Sequence, residues 1–184
     1  MAAGLTILRR TALSLAAALL VAGCAGPTGD APPSLGAVVT EGPTRTVGPA
    51  VAQTRTGLVQ ALGTKNLVLQ DSQAEFRPPE DPTFTTTPRA LYQVILPKAP
   101  QEGFIVVYEF PDPAAAAQAA AAQAAYLATG PAKVQSPFGT RHIIRLVGST
   151  VVQYSWVPAG AEDPLQPDIQ TALETLGTGV PVPS

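Results

Sequence analysis

Apolar positions along this chain follow two rhythms, one repeating every second residue and one every third or fourth, and their order outlines a folded region. Residues 54–62 carry Leu58, Val59 and Leu62 as the apolar side of a short helix, with Gly63 as its stop. Residues 66–70 read as a short strand. Residues 71–88 have no period and contain Pro78, Pro79, Pro82 and Pro88, so they predict a long loop. Two strands follow, at 90–96 and 103–110. The second, GFIVVYEF, is dense in β-branched and aromatic residues, as expected of a central strand covered on both sides.

The next segment gives the clearest local signal. Asp112 suits an N-cap, Pro113 suits the first helical position, and AAAAQAAAAQAAYLA has the highest helix propensity available before Thr129-Gly130-Pro131 ends it. Residues 139–147 and 150–157 then flank Gly148-Ser149, a two-residue hairpin turn. That turn sets the register: Val147 opposite Thr150, Arg145 opposite Val152, Ile143 opposite Tyr154 and Arg141 opposite Trp156. Asp163-Pro164 opens a last helix, whose stripe is Ile169, Ala172, Leu173 and Leu176, and Gly177 stops it. The whole predicts a two-layer α+β domain over residues 51–178, with a mainly antiparallel sheet of about four or five strands and about three helices. Residues 179–184 are left as a short tail.

The first fifty residues do not fit this pattern. Arg9 and Arg10 precede an apolar run at 11–22 that is too short to span a membrane as a helix. The run ends in Leu20-Val21-Ala22-Gly23-Cys24, which resembles the lipobox of bacterial lipoproteins. The resemblance implies that residues 1–23 are a signal peptide, that Leu20, Val21, Ala22 and Gly23 are read by the signal peptidase, and that Cys24 takes the lipid. It places the protein in the cell envelope, held to a membrane on its extracytoplasmic side. Arg9-Arg10 also resembles a twin-arginine export signal, with Ala12 at a position usually aromatic or leucine. Residues 24–50 are rich in Gly, Pro, Ala, Thr and Ser and read as a flexible tether with a reach of roughly 30 Å.

Composition narrows the partners and the chemistry. Net charge is −2, and removal of residues 1–23 takes away two arginines and no acid, leaving −4. The nine remaining basic residues are spread singly from Arg45 to Arg145, so no nucleic-acid footprint exists. The single cysteine allows no intramolecular disulfide, and with Cys24 lipidated the single histidine, His142, cannot complete a nitrogen- or thiolate-based metal site. His142 lies beside Ile143 and Ile144 on a strand and reads as structural, since no nucleophile motif accompanies it. Glu80-Asp81 and Glu162-Asp163 are adjacent acidic pairs, and Glu109 with a loop acid would satisfy the two-carboxylate minimum of a glycosidase. No phosphate-binding loop is present, and no cofactor is implied.

One positive constellation remains. The hairpin register puts Arg141, Arg145, Tyr154 and Trp156 on one sheet face, which is either a binding surface or core with arginines at its rim. The run GFIVVYEFPDPAAAAQAA, then RHIIRLVGSTVVQY, then an amphipathic helix, resembles small bacterial lipoproteins of unassigned function over residues 54–177. That resemblance carries over no catalytic residue. The sequence reading is therefore a lipid-anchored, non-enzymatic binding or interaction module, with an envelope protein or small ligand as partner. An extracytoplasmic hydrolase or sugar-acting enzyme is the alternative.

Replacement of Cys24 by Ala is expected to abolish metabolic labelling with radioactive palmitate and to release the protein from the membrane fraction. Persistence of label on Cys24→Ala would refute the anchor.

Overall fold

The computed structural model describes residues 48–184. The lipobox positions Leu20, Val21, Ala22, Gly23 and Cys24, and the tether as far as residue 47, lie outside the described residues. Within them, helices α1 (Pro49–Gly63), α2 (Pro113–Leu127), α3 (Gly130–Val134) and α4 (Gln166–Glu174) accompany strands β1 (Leu69–Asp71), β2 (Arg89–Val94), β3 (Phe104–Glu109), β4 (Arg141–Val147), β5 (Thr150–Trp156) and β6 (Thr178–Val180). The strands form one antiparallel sheet in the order β1-β2-β3-β5-β4-β6. The α+β class with an antiparallel sheet is as expected.

The central strands explain how the helices are arranged. In β3, Ile105, Val106, Val107 and Tyr108 are all buried, and in β5 so are Val151, Val152, Gln153 and Tyr154. Successive side chains point to opposite faces, so such strands need cover on both sides. One face, with Ile105, Val107, Val152, Tyr154 and Trp156, packs under α1 and α4 through Val51, Leu58, Leu62, Ile169 and Leu173. The other, with Val106, Tyr108, Ile144 and Val151, packs under α2 through Ala116, Ala120, Ala124 and Leu127. The helices therefore divide between the two faces.

Helix α2 forms as its caps predict. Asp112 Oδ1 accepts the Ala115 N–H at 2.8 Å, and Pro113 occupies the first turn. Its alanines bury little area each, but their methyls let the helix axis approach the sheet closely. The remaining gap on that face is filled by the loop between β1 and β2, which brings Phe84 edge-on to Tyr108 at 4.7 Å and to Phe110 at 5.4 Å.

Several boundaries differ from the sequence reading. Helix α1 begins at Pro49, inside the stretch read as tether, because Pro at the first helical position needs no N–H partner and Val51 reaches the core. Leu58 and Leu62 face inward, but Val59, about 100° around the helix from Leu58, is 44% exposed. Thr178–Val180, of which Gly179 and Val180 fall in the expected tail, is an edge strand. Three residues containing a glycine show no period to read. Asp163 is not the N-cap of α4, which starts three residues later. It is buried instead, and accepts the Leu165 N–H at 2.9 Å and the Lys98 N–H at 2.8 Å, tying the β2–β3 connection to the start of the helix.

Ala120→Leu puts three extra carbons into the fully buried contact between α2 and the sheet. It is expected to destabilise the protein by about 1–3 kcal/mol, read from the midpoint of urea unfolding. An unchanged midpoint would mean that α2 does not seat closely on the sheet.

Candidate functional site

The β4–β5 hairpin has the register that its turn dictates: Val147 opposite Thr150, Arg145 opposite Val152, Ile143 opposite Tyr154 and Arg141 opposite Trp156. Arg141, Arg145, Tyr154 and Trp156 therefore do share a face, but not as an open binding surface. Tyr154 is 1% and Trp156 8% exposed in the core beneath α1 and α4, and the Trp156 indole donates to Gln170 Oε1 at 3.2 Å. Of the two readings of this face, core is the one found for the aromatic pair, and a binding surface is not. The face is apolar and α4 covers it.

Arg145 has a structural task. Its Nε donates to the Leu176 carbonyl at 2.6 Å, and one guanidinium NH2 donates to the Glu174 carbonyl at 2.8 Å and the Gly177 carbonyl at 3.0 Å. These carbonyls lie at and just past the C-terminal end of α4, where backbone acceptors lack helical partners and a cation is favoured. Gly179 makes this possible, since a Cβ there would lie 2.6 Å from the guanidinium. Arg141 differs from the other three. It is exposed, and no carboxylate pairs with it among the described residues.

Arg141 stands at a groove of about 790 Å³ that runs along the first half of β4. Its floor is the strand from Arg141 to Arg145, and its walls are the loop carrying Phe138, the end of α4 at Gln170 and Glu174, and residues 179–184. Phe138 is fully exposed. The groove exists because β6 pairs with β4 only from Ile144 to Leu146. Pro181 and Pro183 then follow. Their φ is held near −65°, away from the roughly −140° of an antiparallel strand, and the chain stops following β4.

The hairpin also fixes which backbone groups face the groove. Val147 and Thr150 close the turn and exchange hydrogen bonds, so alternate residues Arg145, Ile143 and Arg141 are directed at β5. Leu146, Ile144 and His142 are directed outward. Ile144 and Leu146 meet β6, whereas the outward N–H and C=O of His142 meet no hydrogen-bond partner among the described residues.

The side chain of His142 lies on the α2 face, where Nδ1 is 2.8 Å from Ser155 Oγ. Burial lowers its pKa below the ordinary 6.5, so the ring is neutral at neutral pH. Ser155 also borders a second cavity of about 240 Å³, walled in part by Phe76 and Phe104, whose rings stack at 4.6 Å. The pair thus stands between two cavities. A neutral imidazole on a hydroxyl is the first half of a nucleophile and base, but no hydrogen bond orients the other ring nitrogen among the described residues. The sequence reading missed this pair, although the register that it derived places Ser155 opposite His142.

Of the acidic candidates, Glu80, Asp81, Glu109 and Asp163 are engaged elsewhere. Glu80, with its side chain 5% exposed, accepts the Tyr108 hydroxyl at 2.7 Å and Arg89 at 3.0 Å through Oε1, and Arg77 at 2.9 Å through Oε2. Burial first, then Glu80, raises the pKa of Tyr108 far above the ordinary 10, so its hydroxyl stays a donor. Asp81 accepts the Thr83 N–H at 2.9 Å and its hydroxyl at 2.7 Å. Glu109 accepts the Gly48 N–H at 2.9 Å. No three His, Cys, Asp or Glu side chains converge as a metal cluster among the described residues.

The direction of the His142 shift sets a pH dependence. Because the folded pKa is depressed, the unfolded chain takes up a proton that the folded chain resists, so stability falls as pH drops through 6.5 toward the folded value. Urea unfolding at about pH 7.5 and about pH 5.5 should therefore show a larger loss for the parent than for His142→Asn. Equal losses would mean that His142 is not buried as described. Comparisons of the chain with protein families, with curated proteins and with solved structures find no match in any of the three.

Proposed function

We propose that this protein is a lipid-anchored binding module of the bacterial cell envelope and that the groove along β4 is its binding site. The address rests on Leu20-Val21-Ala22-Gly23-Cys24. The observation that carries the binding role is the unpaired edge of β4 at His142, bordered by the exposed Phe138 and the unpaired cation Arg141. An exposed ring beside open backbone donors and acceptors is a combination that a folded domain ordinarily covers or blunts. Among the described residues no helix is long and apolar enough to cross a membrane; in this reading the attachment is a lipid on Cys24.

A hydrolase is the second reading, favoured by the contact between His142 and Ser155 alone. A fluorophosphonate probe separates the two, because it labels serines activated by a neighbouring base. Binding predicts that Ser155 remains unlabelled at a concentration that saturates a known serine hydrolase, and labelling lost in Ser155→Ala would establish the enzyme instead.

The binding site itself is tested in cells with the lipidated full chain carrying benzoylphenylalanine at Phe138 or, as a control, at Val68, which is also exposed. Irradiation is expected to give a discrete adduct from position 138 and none from position 68. Equal or absent adducts at both positions would overturn the groove as the site.

A further inference from the structure

The outward N–H and C=O of His142 are a donor and an acceptor spaced as one rung of an antiparallel ladder, and they lie open in a groove. A small ligand can satisfy one of them. An extended peptide backbone satisfies both and continues the sheet, which is how strand addition derives its affinity. The tail of this chain does not fill the place, since its pairing ends at Val180.

The side chains around the open edge select a charge. A strand laid against β4 would turn its residues alternately to the two faces of the sheet. On the α4 side they would meet Arg141 and Gln170, and on the α2 side Leu127 and Val182. The groove has three cations in its lining, Lys133, Arg141 and Arg145, the last already held by the carbonyls at the end of α4, against one carboxylate side chain, Glu174. Glu174 is already the acceptor for Gln170, at 2.8 Å. In a chain of net charge −2 with 13 acidic and 11 basic residues, this reverses the overall balance locally.

We infer that the groove takes an extended acidic peptide segment of another envelope protein, added as a seventh strand against residues 141–143, with acidic side chains toward Arg141 and apolar ones toward Leu127 and Val182. This rests on the groove being the binding site, and it adds the class of partner and the mode of its recognition.

The test uses the mature chain and a pool of capped peptides of about eight residues, with Asp or Glu alternating with mixed apolar residues. Amide resonances of residues 141–143 are expected to shift on titration. Methylation of alternate peptide nitrogens, prepared in both registers, should weaken binding at least roughly tenfold in one of them, because it removes the donors that face β4. A pool with Lys in place of the acids should bind at least about fivefold more weakly, and Arg141→Glu should reverse that preference.

Several results would overturn the inference: no shift with the acidic pool, equal affinity of both methylated sets, indifference to the sign of charge, or a concentration-dependent dimer that uses the same amides. These outcomes are separable from failure of the underlying reading. If the position-138 adduct forms in cells while the peptide pool fails, the groove binds something other than an acidic strand. If both fail, the groove is not the site.

Discussion

The fold depends on the double-sided burial of β3 and β5. Strands whose odd and even residues are both apolar cannot lie on a surface, so each face of the sheet has to be roofed. Helices α1 and α4 do this on one side with long aliphatic side chains. On the other side α2 has little but methyl groups to contribute, and 15 residues of mostly alanine do not cover a six-stranded sheet. The stretch between β1 and β2 completes that roof, and it is kept there by polar contacts.

Those contacts form one connected knot. Gln123, the polar member of the buried side of α2, donates to the Pro79 carbonyl at 2.8 Å and to Gln153 Oε1 at 3.0 Å, and accepts the Asp81 N–H at 2.7 Å. Next to it, Glu80 holds Tyr108 on β3 and Arg89 on β2. A loop that lies over a core carries backbone groups that need partners, and here the Pro79 carbonyl and the Asp81 N–H find theirs on Gln123. Glu80 is therefore a clamp on the sheet and not a free acid. Breaking one partner of such a cluster leaves the others unmatched in a place with little water, which makes the loop and the sheet one cooperative unit.

Much of this was legible in the sequence where a single local rule governs the outcome. Asp112-Pro113 and the alanine run specify α2, Gly148-Ser149 specifies the hairpin register to the residue, and the composition of GFIVVYEF specifies a strand covered on both sides. What escaped depends on phase or on distant contacts. Gln118 and Gln123 look alike within the alanine run, yet five residues turn the helix by about 140° relative to each other, so one meets water and the other meets Pro79. The hairpin pattern placed Tyr154 and Trp156 on the face of Arg141 and Arg145, but both faces are about equally apolar, and nothing local says that α4 returns to cover this one. β6 was missed because Thr178-Gly179-Val180 is shaped by its neighbours: Gly177 approaches the Leu146 carbonyl too closely for any side chain, and Gly179 makes room for Arg145. The open edge at His142 was hidden for the same reason, since it exists only where β6 gives out.

The bond from Gly48 to Glu109 has a consequence for presentation. Glu109 lies opposite Thr150, at the turn end of the hairpin, and Arg141 and Trp156 lie at the other end. Strands of seven residues separate the two ends by about 20 Å. Whatever precedes residue 48 therefore joins the domain at the end remote from Arg141 and Phe138. A pull along the preceding chain would be delivered to the hydrogen bond at the base of α1 and to β3, a strand covered on both faces, and not to the three-residue edge strand that borders the groove. The join is mechanically insulated from the open edge of β4, so that edge can stay open without lying in the path of the load.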